Sequence, residues 1–267
     1  MKRLTALTLV VPLAGCSIDT HQGEVGVYRT PEMPGAAGAG PETPSFFLTM
    51  YLRDFKKYDS SDPSTNPAFD NVGSENRVVA DKLGADRKPV YELPTSMEPT
   101  FGAAYFDQWY RDVPGTNVTL PFPLPITIDD QGFYEYDSQK SGTPDEYQGV
   151  ARRVFFPLDD GGPYPTSFGN QGQTHNFAFT GELHVSFVPS AGDTLEVRAD
   201  DDLYVFIDDQ LVIDLGGTHI ALSRTINLDD VEITLGVEHA LHFFYAERLG
   251  ATGALSVRSS FALQASR

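Results

Sequence analysis

The sequence predicts an all-β fold, an antiparallel sandwich or barrel, for the body of the chain from about Ser45 onward. Three observations carry this prediction. Apolar residues alternate with polar ones at period two, helical periodicity is nearly absent, and Gly- and Pro-rich turns separate short apolar runs. No segment of about 20–50 residues repeats, which excludes a solenoid or propeller. The stretch 45–267 holds no second linker, so it counts as one domain with enough chain for a sizeable core.

The elements follow in chain order. Asp59–Asn76 is polar and Val113–Thr127 is rich in proline, so both are expected as ordered loops lying over the sheets. Leu183, Val185 and Phe187 alternate with His184 and Ser186, the pattern of a half-buried strand. Leu203–Ile207 and Leu211–Leu215 bracket Asp208-Asp209-Gln210 and predict a hairpin of strands buried on both faces. Leu241, Phe243 and Tyr245 alternate with His242 and Phe244 before the turn at Gly250–Gly253. Leu255–Leu263 reads as a returning strand.

The N-terminus carries a different signal. Lys2 and Arg3 precede an apolar run, Leu4–Leu13, that is too short to span a bilayer, and Leu13-Ala14-Gly15-Cys16 follows. Residues 1–15 are therefore expected to be a secretory signal, and the run resembles the lipobox of bacterial lipoproteins, in which cleavage before the cysteine exposes a thiol for lipid. Cys16 is the sole cysteine, so no disulfide framework exists, and lipidation is the expected use of it. Ser17 stands where the inner-membrane retention signal of such lipoproteins has Asp, which points to the outer membrane of a bacterial envelope. Residues 16–44, including PEMPGAAGAGPETP, are expected to form a Gly/Pro-rich tether.

Charge narrows the partners. The formal net charge of −18 becomes −20 once Lys2 and Arg3 leave with the signal. Such a surface repels phosphate backbones and anionic headgroups, which argues against nucleic acid and direct lipid-surface binding and leaves divalent cations and neutral glycans.

Catalytic signatures are lacking: there is no Gly-x-Ser-x-Gly elbow, no His-Glu-x-x-His pair and no phosphate-cradling glycine loop. The spacings of His175, His184, His219, His239 and His242 do not suit zinc. Glu182 and Glu247 could form a carboxylate pair for glycoside hydrolysis, but the sequence alone gives no separation between them. The expectation is a protein that is not an enzyme.

The most unusual local feature is Asp200-Asp201-Asp202, directly before an apolar strand. Adjacent carboxylates raise one another's pKa unless a cation or donors neutralise them, and hard oxygen ligands select calcium or magnesium. An EF-hand loop is excluded, because counting from Asp200 puts Val205 at the sixth position and Leu211 at the twelfth. A solvated acidic turn is the alternative.

Longer motifs add a resemblance. WYRDVPGTN at Trp109–Asn117, FFPLDD at Phe155–Asp160, HNFAFTGELHVSF at His175–Phe187, DDDLYVFIDDQLVIDLGGTH at Asp200–His219 and FFYAER at Phe243–Arg248 together resemble the fibro-slime domain, a relative of the PA14 domain. The resemblance runs from near Leu52 to about Phe261. It implies a PA14-like β-sandwich of adhesion, matrix or coat proteins. In the sugar-binding relatives two adjacent aspartates joined by a cis peptide hold calcium, which coordinates glycan hydroxyls. The match places that metal-binding pair on Asp200 and Asp201. Asp202, His219 and Glu247 are the expected ligand-binding neighbours. One departure is evident: the late loop Leu249–Ser256 has no asparagine where the relatives use one to complete the calcium shell.

Four expectations remain. Trp109 and Tyr110 are expected in the core, with stacking on a sugar as the alternative. Arg111 with Asp112 and Glu247 with Arg248 read as ion pairs fixing loops, and Gly216-Gly217 suits a bend needing φ > 0. The functional expectation is a lipid-anchored envelope module for calcium-assisted carbohydrate recognition or adhesion. The alternative is a structural matrix or coat protein acting through protein contacts.

Overall fold

Alternation at period two is realised as thirteen strands in the computed structural model, which describes residues 44–267 except 71–72, 74–76, 94–99, 160–161, 165–174, 249, 251 and 266–267. Cys16, its signal and nearly all of the tether lie outside the described residues. All described residues belong to one compact unit, Met33–Arg267, and none of their helices is long and apolar enough to cross a membrane.

The strands are β1 (Phe46–Phe55), β2 (Asn117–Ile128), β3 (Tyr134–Asp137), β4 (Thr143–Tyr147), β5 (Val150–Val154), β6 (Ala178–Phe187) and β7 (Thr194–Asp200). They continue with β8 (Asp202–Ile207), β9 (Gln210–Leu215), β10 (Leu222–Asn227), β11 (His239–Arg248), β12 (Ala254–Ser259) and β13 (Gln264–Ala265). One antiparallel path, β10-β7-β12-β3-β2-β1-β6-β11-β8-β9, carries ten of them, β13 pairs with β6, and β4-β5 forms a separate hairpin. The all-β expectation holds. β2 links the two halves of the path, pairing with β1 up to Ile126 and with β3 through Thr127 and Ile128.

Odd-numbered residues of β6, β8 and β11, such as Leu183, Val205 and Phe243, pack with Leu195, Val197 and Val257 of β7 and β12 in the inter-sheet core. Even-numbered residues, such as Tyr204, Phe206 and Phe244, point the other way. They meet Phe55, Phe69, Phe106, Trp109 and Tyr110, delivered largely by the connection between β1 and β2. The central strands are thus buried on both faces, which is why Leu203–Ile207 reads as an unbroken apolar run. Trp109 and Tyr110 are fully buried, as the core expectation required. Truncating Trp109 to alanine would cost about 3–5 kcal/mol.

Several details depart from the sequence reading. Val113–Thr127 is not a loop, since most of it is β2. Pro121, Pro123 and Pro125 share one alternation phase and oppose Tyr51, Thr49 and Phe47. Along that stretch β2 pairs only with β1, so the missing N–H groups fall on its open edge. The strand from Leu255 ends at Ser259, short of Leu263. β8 is buried on both faces, whereas β9 is only partly covered. β11 is buried at every position but Ala240, because aromatic side chains cover its outer face too. The β8–β9 hairpin forms as expected, with Asp208 and Asp209 at φ 46° and 68°, the signature of a type I′ turn. Asp59–Asn76 supplies Ala68 and Phe69 to the outer core, as a loop over the sheet should.

Candidate metal centre and adjoining pocket

β7 and β8 follow one another in sequence but lie in opposite halves of the path, and Asp201 is the only residue between them. The chain therefore crosses the end of the inter-sheet core at the acidic run. The Asp200–Asp201 peptide is cis. β11 runs beside β8 with Ala246 opposite Asp202, so the next inward-facing side chain, Glu247, arrives at the same end. One oxygen each from Asp200, Asp201 and Glu247 lies within 4.8 Å of the others. Exposures of 4 %, 2 % and 0 % rule out the solvated acidic turn.

The donors that reach this trio are uncharged. Asp201 accepts the backbone N–H groups of His219 at 2.9 Å and Arg248 at 3.1 Å. Asp200 Oδ2 and Glu247 Oε1 are buried without a hydrogen-bond partner. Burial, opposed by His219 and Arg198, holds the Asp200 carboxyl up at about 6. Burial first, then the Asp202 charge, pushes Asp201 well above the usual carboxylate range. Burial first, then Asp201 and Asp200, does the same to Glu247.

Tyr245 spans two members of the site: its hydroxyl donates to Glu247 Oε2 at 2.6 Å and also contacts the Asp200 carbonyl. Three hard-oxygen side chains, two with orphaned buried oxygens, form a donor set suited to a divalent cation such as calcium or magnesium.

The other expected site residues separate from this trio. Asp202 points to the outer face, where Arg248 Nε binds Oδ2 at 2.7 Å. Arg248 Nη2 at 3.2 Å, Tyr204 Oη at 2.9 Å and the Gly217 N–H at 2.6 Å all donate to Oδ1. Every oxygen of Asp202 is occupied by the fold. Glu247 and Arg248 do not pair, because consecutive strand residues face opposite ways. Arg248 lies over Trp109 instead. Arg111 binds Asp86 at 2.8 Å, and Asp112 is taken by Arg53 at 3.0 Å, so that expected pair does not form either. Gly217 alone of the two glycines has positive φ, 103°, while a Cβ on Gly216 would press 2.8 Å from Tyr204 Oη. His219 reaches the site through its backbone N–H, and its ring lies against the Ile220 and Leu215 carbonyls. Glu182 lies on the outer face, bound by Arg53 and Lys88, so the sheet separates it from Glu247.

Sequence reading missed Tyr245, Arg198 and Gly253. Tyr245 and Arg198 each precede a site carboxylate by two positions on a strand, a same-face spacing that could have flagged them. A Cβ on Gly253 would lie 2.8 Å from Glu247 Oε2 and 2.9 Å from the Phe155 carbonyl, so the late loop presses its backbone onto the carboxylate. Beside Asp200 an open pocket of about 330 Å³ is lined by Arg152, Arg153, Arg198, Gln139, Ile220 and Thr252 among others.

Comparison with known proteins gives partial likenesses, and no family model matches the chain. Protein psiD of Dictyostelium discoideum is 35 % identical over 191 residues, 67 % of this chain and 35 % of psiD. Protein psiR of the same organism is 32 % identical over 79 % of this chain and 21 % of its own length. The chain thus spans about a third or less of these curated relatives. Among solved structures, a PA14 sugar-binding domain from an RTX adhesin has TM-score 0.23 and 20 % identity, covering 33 % of this chain and 52 % of that one.

Proposed function

We propose that the domain is a carbohydrate-binding or adhesive module, PA14-like in fold, that uses a calcium ion held by Asp200, Asp201 and Glu247. One observation carries the reading: three buried carboxylates converge, and among the described residues Asp200 Oδ2 and Glu247 Oε1 have no hydrogen-bond partner. The fibro-slime resemblance of the sequence points to the same pair of aspartates. Calcium there would balance the buried charge and offer open coordination positions to sugar hydroxyls at the pocket mouth. Binding, not turnover, is the role this reading assigns to the site. Lipid on Cys16 presents the module from a bacterial envelope, where multivalency makes weak affinity sufficient.

Calorimetric titration of calcium tests the metal. Binding in the millimolar range or tighter, abolished by Asp201→Asn, supports the reading, and no heat at millimolar calcium removes it. A glycan array with and without chelator then tests the ligand. Labelling with radioactive palmitate tests the anchor, which predicts incorporation that Cys16→Ser eliminates.

A second reading, a matrix or coat module acting through protein contacts, has its own support. Phe47 and Tyr51 are 59 % and 47 % exposed and oppose Pro125 and Pro121 across the β1–β2 ladder, forming an aromatic and proline strip on the surface. Self-association lost on Phe47→Ser/Tyr51→Ser, with no glycan bound, would favour it.

A further inference from the structure

We infer that the pocket beside Asp200 takes an anionic group, so that the glycans recognised are acidic ones carrying a carboxylate or sulfate. This deepens the binding reading above and rests on it.

The case begins with charge. The chain has 37 acidic against 19 cationic Lys and Arg side chains, yet three arginines, Arg152, Arg153 and Arg198, gather around this one pocket. Among the described residues that line it, Asp200 is the only carboxylate. Arg152 is balanced by Asp145, whose Oδ2 lies 2.6 Å from its Nε, and Arg198 is offset in part by Asp200, so the cationic excess rests chiefly on Arg153. Arg153 Nη1 donates to the Gly142 carbonyl at 2.8 Å, which fixes its planar fork at the rim without cancelling its charge. Arg198 Nη1 is buried with no hydrogen-bond partner, a donor the fold itself does not use.

Such an orphaned guanidinium donor is costly unless a ligand oxygen meets it. Guanidinium forks match carboxylate and sulfate oxygens in pairs, and they bind more strongly when charge assists. Asp200 adjoins both the pocket and the carboxylate trio, so hydroxyls of a sugar could face the cation while its acidic substituent faces the arginines. The rim supplies an apolar contact as well, since Ile220 is 82 % exposed there and suits the C–H face of a pyranose. A neutral sugar hydroxyl can accept from Arg198, but a carboxylate or sulfate adds charge assistance that a hydroxyl lacks.

Calorimetry on the full chain in calcium, with trigalacturonate, a sulfated galactan oligosaccharide and neutral galactotriose, tests this. The expected result is that at least one acidic probe binds about tenfold tighter than galactotriose. That preference shrinks as salt rises, as it must for charge-assisted binding at a pocket mouth. Arg198→Gln and Arg153→Gln each bring the acidic-to-neutral ratio towards one, with thermal melting to show that each variant is folded. Trigalacturonate alone winning assigns a carboxylate, and the sulfated probe alone winning assigns a sulfate. If calcium binds and galactotriose binds as tightly as either acidic probe, this inference falls and the calcium-dependent reading stands. If neither calcium nor any probe binds, both fall.

Discussion

Asp201 and Asp202 are neighbours in sequence and equally hidden, yet they occupy opposite electrostatic worlds. Asp202 faces the outer side of the sheet, where Arg248 meets it at 2.7 Å and two further donors complete its shell. Asp201 faces the end of the inter-sheet core, where its side-chain neighbours are the carboxyls of Asp200 and Glu247. Glu182 repeats the outer pattern, ringed by Arg53, Lys88 and His184. Burial is common to all these groups, and what differs is direct pairing. Asp202 and Glu182 each bond to a cation, whereas Arg198 and His219 act on Asp200 only through their charge. Directly paired carboxylates belong to the architecture, and the trio without such pairs is the seat we propose for a cation.

The largest effect should come from breaking a compensated pair. Arg248→Met leaves Asp202 buried without its cation, and urea titration should show a loss of about 3–5 kcal/mol. Glu247→Gln in chelator should instead be neutral or mildly stabilising, because it removes a buried acid that lacks a counter-charge. Equal losses for the two variants would abolish the contrast between the faces.

Next in size is the response to metal. Calcium at about 100 times its dissociation constant should stabilise the fold by about 2.7 kcal/mol, a rise of roughly 5–10 °C in melting temperature for a domain of this size. Asp201→Asn and Glu247→Gln should each erase the rise. Asp86→Ala, on an exposed acid outside the trio, should preserve it.

The contrast also shows how far the sequence could be read. Period-two alternation announced the strands, and the doubly apolar run Leu203–Ile207 announced a strand covered on both sides. Residues 117–128 misled because proline usually ends a strand, and only pairing register reveals that Pro121, Pro123 and Pro125 share the open edge. The acidic run announced a site, but it could not say which carboxylate faces which way. That depends on the crossing between sheets at Asp201, and it assigns Asp202 to Arg248 and Glu247 to the trio. Arg153 joins the pocket from a hairpin distant in sequence, so no local spacing could have shown it.

A smaller effect, on the order of 2 kcal/mol, concerns pH. The Asp200 carboxyl is held at about 6 in the folded chain, above its ordinary value of 3.8. Between those values the folded state binds more protons than the unfolded state, so this group lowers stability as pH rises from about 4 to 6. His242 acts in the opposite sense, because burial, with His184 and Arg87, lowers it to about 4. Its contribution is full above 6.5 and fades as pH falls to about 4. The difference between wild type and Asp200→Asn, measured in chelator by urea titration at several pH values, isolates the aspartate. The wild type should lose ground to the variant as pH rises through that window, and added calcium should reverse the trend.

The smallest effect tests how redundant the outer compensation is. Burial pushes Glu182 up, but His184, Arg53 and Lys88 outweigh it and hold the carboxyl at about 2. A depressed carboxyl contributes stability above its ordinary value of 4.5 and loses it as pH falls towards 2. Lys88 is 22 % exposed, so solvent screens part of its attraction, and Arg53 remains when it is removed. Lys88→Ala should therefore cost only about 1 kcal/mol at neutral pH. It should also move the onset of acid destabilisation to higher pH, because Glu182 then protonates sooner. A loss as large as that of Arg248→Met would mean that Arg53 alone cannot hold the charge, and the outer face would prove nearly as short of cations as the inner end.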